Sequence, residues 1–203
     1  YRPDRGKLLT DQDLAGIERY HRFVDRDGDG IAARTLPGSD RKGAYFVRGS
    51  GHNQFGGYTE DADEYQQVVD RLKVKWETAR KRVPEALLRK AKSHSEIGVI
   101  AFGSSHGATG EAIDQLARDG VHVDYLRLRA FPFGDEVQAF LDSHRSVFVI
   151  EQNRDAQLRG LLLLELRVEQ AKLVSILHYN GLPVPSDLIY DRINSHLKRE
   201  AVA

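Results

Sequence analysis

Val147-Phe148-Val149-Ile150-Glu151-Gln152-Asn153-Arg154-Asp155-Ala156-Gln157-Leu158 runs four apolar residues into a cluster of charges and amides, and then into a leucine-rich segment. A short Val/Phe/Ile run bounded this sharply reads as a strand covered on both faces. The polar cluster then marks the carboxyl end of that strand, where parallel sheets gather ligands and partner loops.

The same rhythm repeats on either side. Residues 97–102 and 121–128 read as strands, with a helix over 108–117 between them. A short helix near 135–141 precedes the strand 146–150, and a helix over 156–166 follows it. A strand over 173–178 and a last helix from Ser186 complete the series. Each strand is followed by a helix long enough for a crossover, so the expected fold class is α/β. The sheet should be mainly parallel with helices on both faces, occupying residues 94–203.

Upstream the pattern differs. Residues 1–58 hold ten of the 18 glycines and few apolar residues, and read as an irregular, partly helical connecting segment. Within it Thr10 to Asp13 is a capping signal, followed by Leu14, Ile17, Tyr20 and His21 at helical spacing and a stop by Gly28 and Gly30. In residues 59–93, Tyr65, Val69, Leu72, Trp76, Ala79 and Val83 form a heptad-like stripe on one long helix, with Pro84 at its end. Nine Lys/Arg against two Glu between Arg71 and Lys92 make the other face basic, either a solvated surface or a docking surface for an anionic partner.

Composition narrows the classes. Lys+Arg and Asp+Glu are both 30 among 203 residues, so whole-chain charge points neither to nucleic acid nor to a membrane surface. Residues 1–93 nevertheless stand at +4 and residues 94–203 at −4. No cysteine is available for a disulfide, a structural zinc or an iron–sulfur cluster. The apolar runs fall short of the roughly 20 residues of a membrane helix, and no signal-peptide pattern opens the chain. Cytoplasmic localisation is the expectation. A chain that begins at Tyr1 and contains no Met is expected to be part of a longer polypeptide.

Several motifs carry chemistry. Asp25-Arg26-Asp27-Gly28-Asp29-Gly30 resembles the first half of a calcium loop, but Leu36 stands where the closing bidentate Glu belongs, so an acidic turn is expected. Gly103–Gly110 follows a strand and opens a helix, yet it lacks the dinucleotide G-x-G-x-x-G spacing and the P-loop Lys. It serves either an anion at the helix start or close packing. The eight histidines show no ligand spacing, and no metal site is expected. Arg48, Gly51, His52 and Asn53 supply donors, acceptors and close backbone approach in one glycine-rich loop, which is either a recognition loop or a surface loop. Arg127 and Arg129 end the second strand; they either receive an anion or pair with Glu151, the pairing being the expectation because that glutamate would otherwise be half-buried.

Taken in order, three series resemble a known family: Asp29-Gly30-Ile31…Arg34-Thr35-Leu36-Pro37-Gly38, Arg48-Gly49-Ser50-Gly51-His52-Asn53, and Asp70-Arg71-Leu72-Lys73…Trp76-Glu77-Thr78-Ala79. The series continues through residues 100–104, 123–133, Glu151–Leu158 and 177–183. It is similar to the alpha subunit of bacterial 2-oxoacid:ferredoxin oxidoreductases, the 2-oxoglutarate type above all, over residues 5 to 195. The resemblance implies that residues 1–58 form the tail of a pyrimidine-side domain and that residues 94–203 are a transketolase-C-like domain. It implies a beta subunit that holds thiamine diphosphate, Mg2+ and an iron–sulfur cluster, with CoA as co-substrate and ferredoxin as electron acceptor. The implied reaction converts 2-oxoglutarate and CoA to succinyl-CoA and CO2.

The family's thiamine contact lies upstream of Tyr1, so no catalytic residue is assigned to this chain. Arg48, Gly51, His52, Asn53, Arg127, Arg129, Glu151, Gln152, Asn153 and Gln157 are the candidates for lining an interface or an active site. Two other readings compete: a non-catalytic α/β assembly module, and a nucleotide-binding domain that uses Gly103–Gly110.

Overall fold

Two apolar strands at the centre of the chain set the architecture. In the computed structural model, which describes residues 2–46 and 49–200, these are β2 (Ile97–Phe102) and β4 (Ser146–Glu151). They pair in parallel, Val99 beside Phe148 and Ala101 beside Ile150. β3 (Asp124–Leu128) joins the other edge of β2, and β5 (Leu173–Leu177) the other edge of β4, both parallel. A three-residue strand, β1 (Leu87–Arg89), adds to β3 antiparallel and completes the order β1-β3-β2-β4-β5. The mainly parallel α/β sheet expected from the sequence is present.

The helices cover both faces for a reason of handedness. The chain leaves β2 for β3 in one direction, then crosses past β2 to β4 and β5 in the other. Because strand crossovers are right-handed, this reversal sends successive helices to opposite faces. α3 (His106–Arg118) and α6 (Ser186–Glu200) pack on one face against Val99, Ala101, Phe148 and Ile150. α4 (Asp135–Ser143) and α5 (Gln157–Glu165) pack on the other against Ile100, Val147 and Val149. Alternate residues of one strand therefore feed two cores, which is why β4 is apolar throughout. Fully buried Phe148 alone contributes about 2–3 kcal/mol of transfer free energy. Gly98 leaves room for α4: a Cβ there would lie 2.7 Å from the Phe140 ring.

Residues 1–82 form one compact unit and residues 83–203 another. In the first, Thr10 and Asp13 make the expected capping box, but the helix it opens, α1 (Asp11–Ala15), is only five residues long. Gly16 closes it with a non-repeating backbone (φ −82°, ψ −1°), so Ile17, Tyr20 and His21 do not continue a helix. Leu14 and Tyr20 are buried all the same, reached through turns. α2 (Ala62–Arg80) is capped by Asp61 and stops four residues before Pro84. None of its residues is buried. β1 lay in what reads from sequence as helix and linker. Its pattern is invisible because Leu87 and Leu88 are both about half exposed, with no alternation to detect.

Candidate functional site

The sheet reverses its winding between β2 and β4, and the crevice outside the carboxyl ends of such strands is where open α/β sheets bind. Here β2 ends at Phe102 and β4 at Glu151. Glu151 is completely buried. Its carboxylate accepts the backbone N–H groups of Leu158 (2.6 Å) and Arg159 (2.9 Å) and the side-chain amide of Asn153 (2.8 Å). The Asn153 side-chain oxygen accepts the N–H groups of Asp155 and Gln157. The first amides of α5, which would otherwise face an anion, are thus satisfied from within the chain. The turn that brings them back onto Glu151 passes through Ala156 at φ +50°, a left-handed position costing an alanine roughly 1 kcal/mol.

This geometry corrects the expected pairing of Arg127 and Arg129 with Glu151. β2 lies between the strand that carries the arginines and β4. Arg129 Nε donates instead to the carbonyl of Glu85 at 2.6 Å, and Arg127 Nε is buried without a hydrogen-bond partner. A glutamate fed by helix amides needs no arginine.

Gln152 spans the crevice. Its amide donates to the Ser104 hydroxyl at 2.8 Å and lies 3.4 Å from that of Ser105, joining the end of β4 to the Gly103–Ser105 turn. Beside it opens a cleft of about 450 Å3. Asn153, Gln157, Leu158 and Leu161 form one wall, Phe102 and Gly103 another, and Leu128 to Phe131 with Phe133 the third. Arg129 is the cation among these residues. An apolar cleft with one guanidinium and two amides suits a ligand or partner group that is largely apolar with an anionic or carbonyl end.

Arg129, Asn153 and Gln157, picked out by sequence, therefore meet at one cleft, with Gln152 bridging beside it. Glu151 lies beneath as the support of α5. Gly51, His52 and Asn53 belong to the first unit. There Asn53 organises a turn by accepting the N–H groups of Phe55 and Gly57, and His52 stacks on Phe23 at 4.1 Å between ring centroids. Arg48 lies outside the described residues.

The acidic turn also resolves. Asp25 accepts the N–H groups of Gly28 and Gly30. Lys7 Nζ binds Asp27, Asp29 and the carbonyl of Ile31. The three carboxylates reach a common point, and an ammonium group supplies charge there. Gly30 sits at φ +79° directly against α2, held by Arg71 to its carbonyl and by Thr78 to that of Asp29.

Residues 95–182, which span β2 to β5 and contain every residue of the cleft, match the pyruvate:ferredoxin oxidoreductase core domain II. The alpha subunit of 2-oxoacid:ferredoxin oxidoreductase 2 from Aeropyrum pernix is 30% identical over 186 residues, covering 90% of this chain and 27% of that protein. The 2-oxoacid:ferredoxin oxidoreductase alpha subunit of Saccharolobus solfataricus is 23% identical over 98% of the chain and 30% of its own length. Over 90% or more of its length the chain is similar to 2-oxoacid:ferredoxin oxidoreductase alpha subunits.

A solved structure from Magnetococcus marinus, a 2-oxoglutarate:ferredoxin oxidoreductase with 2-oxoglutarate, coenzyme A and succinyl-CoA bound, shares the fold. Its TM-score is 0.77 at 20% identity, over 89% of this chain and 31% of that one. The chain spans less than a third of the length of these relatives. No helix among the described residues is long and apolar enough to cross a membrane.

The sequence reading missed the aromatic walls of the cleft. Phe102 is the last residue of β2, while Phe131 and Phe133 flank Pro132 just after β3. Phe102 and Phe131 are partly exposed and Phe133 is buried; the available signal was only their position at or just past the strand carboxyl ends. The His106–Tyr125 pair was missed as well. His106 Nδ1 lies 3.1 Å from the tyrosine hydroxyl, and burial pushes that phenol up to about 12 despite the opposing charge of Arg127.

Proposed function

We propose that this chain is a scaffold portion of the alpha subunit of a thiamine diphosphate-dependent 2-oxoacid:ferredoxin oxidoreductase acting on 2-oxoglutarate. The complete enzyme would take 2-oxoglutarate and CoA to succinyl-CoA and CO2 and pass the electrons to ferredoxin. The observation that carries this reading is the Aeropyrum alpha subunit, which aligns over 90% of the chain. The shared fold with the Magnetococcus 2-oxoglutarate enzyme supports it.

In this reading the remaining machinery lies on other polypeptide: a beta subunit with thiamine diphosphate, Mg2+ and an iron–sulfur cluster, and upstream alpha residues. The chain has no cysteine to ligate iron, and two of the three clustered carboxylates, Asp27 and Asp29, already pair with Lys7. We assign no catalytic step to its residues. Residues 1–58 would be the tail of the upstream pyrimidine-side domain, 59–93 a helix and linker, and 94–203 the α/β domain. Arg129, Gln152, Asn153 and Gln157 would line an interface or an active-site wall, with Arg48, Gly51, His52 and Asn53 a second such surface and Arg127 and Glu151 in support.

Co-expression of the full-length alpha subunit with its beta subunit tests this. We expect 2-oxoglutarate-dependent, CoA-dependent reduction of a viologen dye by the complex, faster than with pyruvate, and none by the 203-residue chain alone. Turnover by the lone chain, or a complex inactive toward every 2-oxoacid, would overturn the proposal. Saturable dinucleotide binding to the lone chain would favour the nucleotide-binding reading.

A further inference from the structure

The second unit carries a groove of about 370 Å3 beside α3. The segment Arg89–Lys92, which leaves β1, lines it together with the later turns of α3 and the approach to β3. Two hydrogen bonds fix these pieces against one another. The Ala91 N–H donates to the Asp124 carboxylate at 2.7 Å, and the Ser95 hydroxyl donates to the His122 carbonyl at 2.7 Å.

The charge of the groove runs against its surroundings. Residues 94–203 stand at −4, yet Arg89, Lys90, Lys92 and Arg118 line the groove against the one carboxylate of Asp114, a net +3. Asp114 already pairs with Arg89. Asp119, the neighbour of Arg118, accepts the Tyr190 hydroxyl at 2.7 Å instead. Lys90, Lys92 and Arg118 make no ion pair or side-chain hydrogen bond among the described residues. Arg118 has a local reason to be basic, at the negative end of α3, but the lysines have none. Like charges gathered in a groove repel one another and focus a field that draws an anion in.

Size and lining narrow the anion. A groove of this volume lies at the lower end of small-ligand sites and is too small for a broad acidic protein surface. Ile113 and Val123, both buried, and Ala117 add apolar surface beside the cations. We propose that the groove binds a small polyanion that carries an apolar ring, the chemistry of a nucleoside diphosphate. Its terminal phosphate bears about two negative charges and its inner phosphate about one, which matches the groove. The phosphates meet Lys90, Lys92 and Arg118, and the base rests on the apolar residues. The groove shares no residue with the cleft at the strand carboxyl ends or with Gly103–Gly110, and the inference is independent of the reaction proposed above.

Nuclear magnetic resonance titration of the 203-residue chain with ADP both locates the binding and measures it. Saturable shifts should appear at the Ala91, Ala117 and Val123 amides, with affinity falling about tenfold or more between low and high salt. Pyrophosphate should compete at the same amides, and adenosine should not. Lys92→Glu with Arg118→Glu should weaken ADP binding about tenfold or more while leaving the circular dichroism unchanged. Lys92→Gln with Arg118→Gln should give an intermediate affinity. Shifts confined to Gly103–Gly110 would place the nucleotide at the start of α3 and overturn the proposal. So would unaltered affinity in the Glu variant, adenosine binding as tightly as ADP, a polyglutamate peptide binding more tightly than ADP, or no saturable shift at millimolar ADP.

Discussion

The carboxylate of Glu151, at the end of β4, accepts the backbone N–H of Leu158 at 2.6 Å from inside a fully buried position. One side chain thereby ends a strand and starts the helix that walls the cleft. Truncation to Ala leaves the Leu158 and Arg159 amides and the Asn153 side chain without their buried acceptor. Glu151→Ala should lower unfolding stability by about 3 kcal/mol and Glu151→Gln by about 1–2 kcal/mol, since the amide retains one acceptor. Urea denaturation measures both. Hydrogen exchange at Leu158 and Arg159 should accelerate ahead of the other buried amides. Unchanged protection there would remove Glu151 from this role.

Gly98 and Phe140 test the packing of the second face. A methyl group at position 98 would stand 2.7 Å and 2.9 Å from two Phe140 ring carbons and 3.2 Å from His144. The ring has no empty side to move into, because it is itself buried. Gly98→Ala should cost about 1–3 kcal/mol by overpacking. Combining it with Phe140→Leu should recover part of that loss, a coupling that a double-mutant cycle reads directly. Strict additivity would show that the collision is relieved elsewhere.

Tyr125 makes a pH prediction of definite sign. Burial holds its phenol neutral up to about 12, against an ordinary 10, while the unfolded chain ionises it from pH 10 upward. Its contribution is therefore complete below pH 10 and is lost as pH rises from 10 through about 12. The loss amounts to roughly 2–3 kcal/mol at the upper end. Tyr125→Phe should be less stable near neutrality, having lost the contact with His106, but should lack this alkaline decline. The difference in tyrosinate absorbance between the two proteins should midpoint near 12. A midpoint near 10 would place the hydroxyl in water.

Sequence alone located β2, β4 and the helices between them because their signals are local. Four consecutive apolar residues at Val147–Ile150 serve two cores at once, and no exposed strand shows that run. The partner of Glu151 was not legible, because it depends on strand order: with β2 inserted between β3 and β4, the arginines of positions 127 and 129 fall on the wrong side. The length of α1 was not legible either. Tyr20 and His21 follow helical spacing from Leu14, yet Gly16 ends the helix and turns carry Tyr20 into the interior. The cleft was half legible. Its amides announced themselves by polarity after an apolar run, whereas Phe102, Phe131 and Phe133 read as ordinary core residues.

Lys7 and Asp29 provide the last test. The ammonium joins Asp27 and Asp29 to the carbonyl of Ile31 and so takes the place that a cation would have in a calcium loop. Partial desolvation pulls the Lys7 pKa down, but the hydrogen bonds it donates to Asp27 and Asp29, with their negative charges, outweigh this and leave it raised above 10.5. The hydrogen bond from Lys7, with that from the Ile31 N–H, lowers Asp29 below 3.8. The pair's stabilisation is thus present across the neutral range. It disappears as acid carries the pH below 3.8 and through the lowered value of Asp29, and as alkali passes 10.5 and the raised value of Lys7. Lys7→Met should melt earlier at pH 7, with the deficit shrinking at high salt as the three carboxylates are screened. Its melting temperature should then rise on adding calcium, while the parent chain shows no such shift. Equal calcium responses in both proteins would mean that Lys7 does not occupy the cation position.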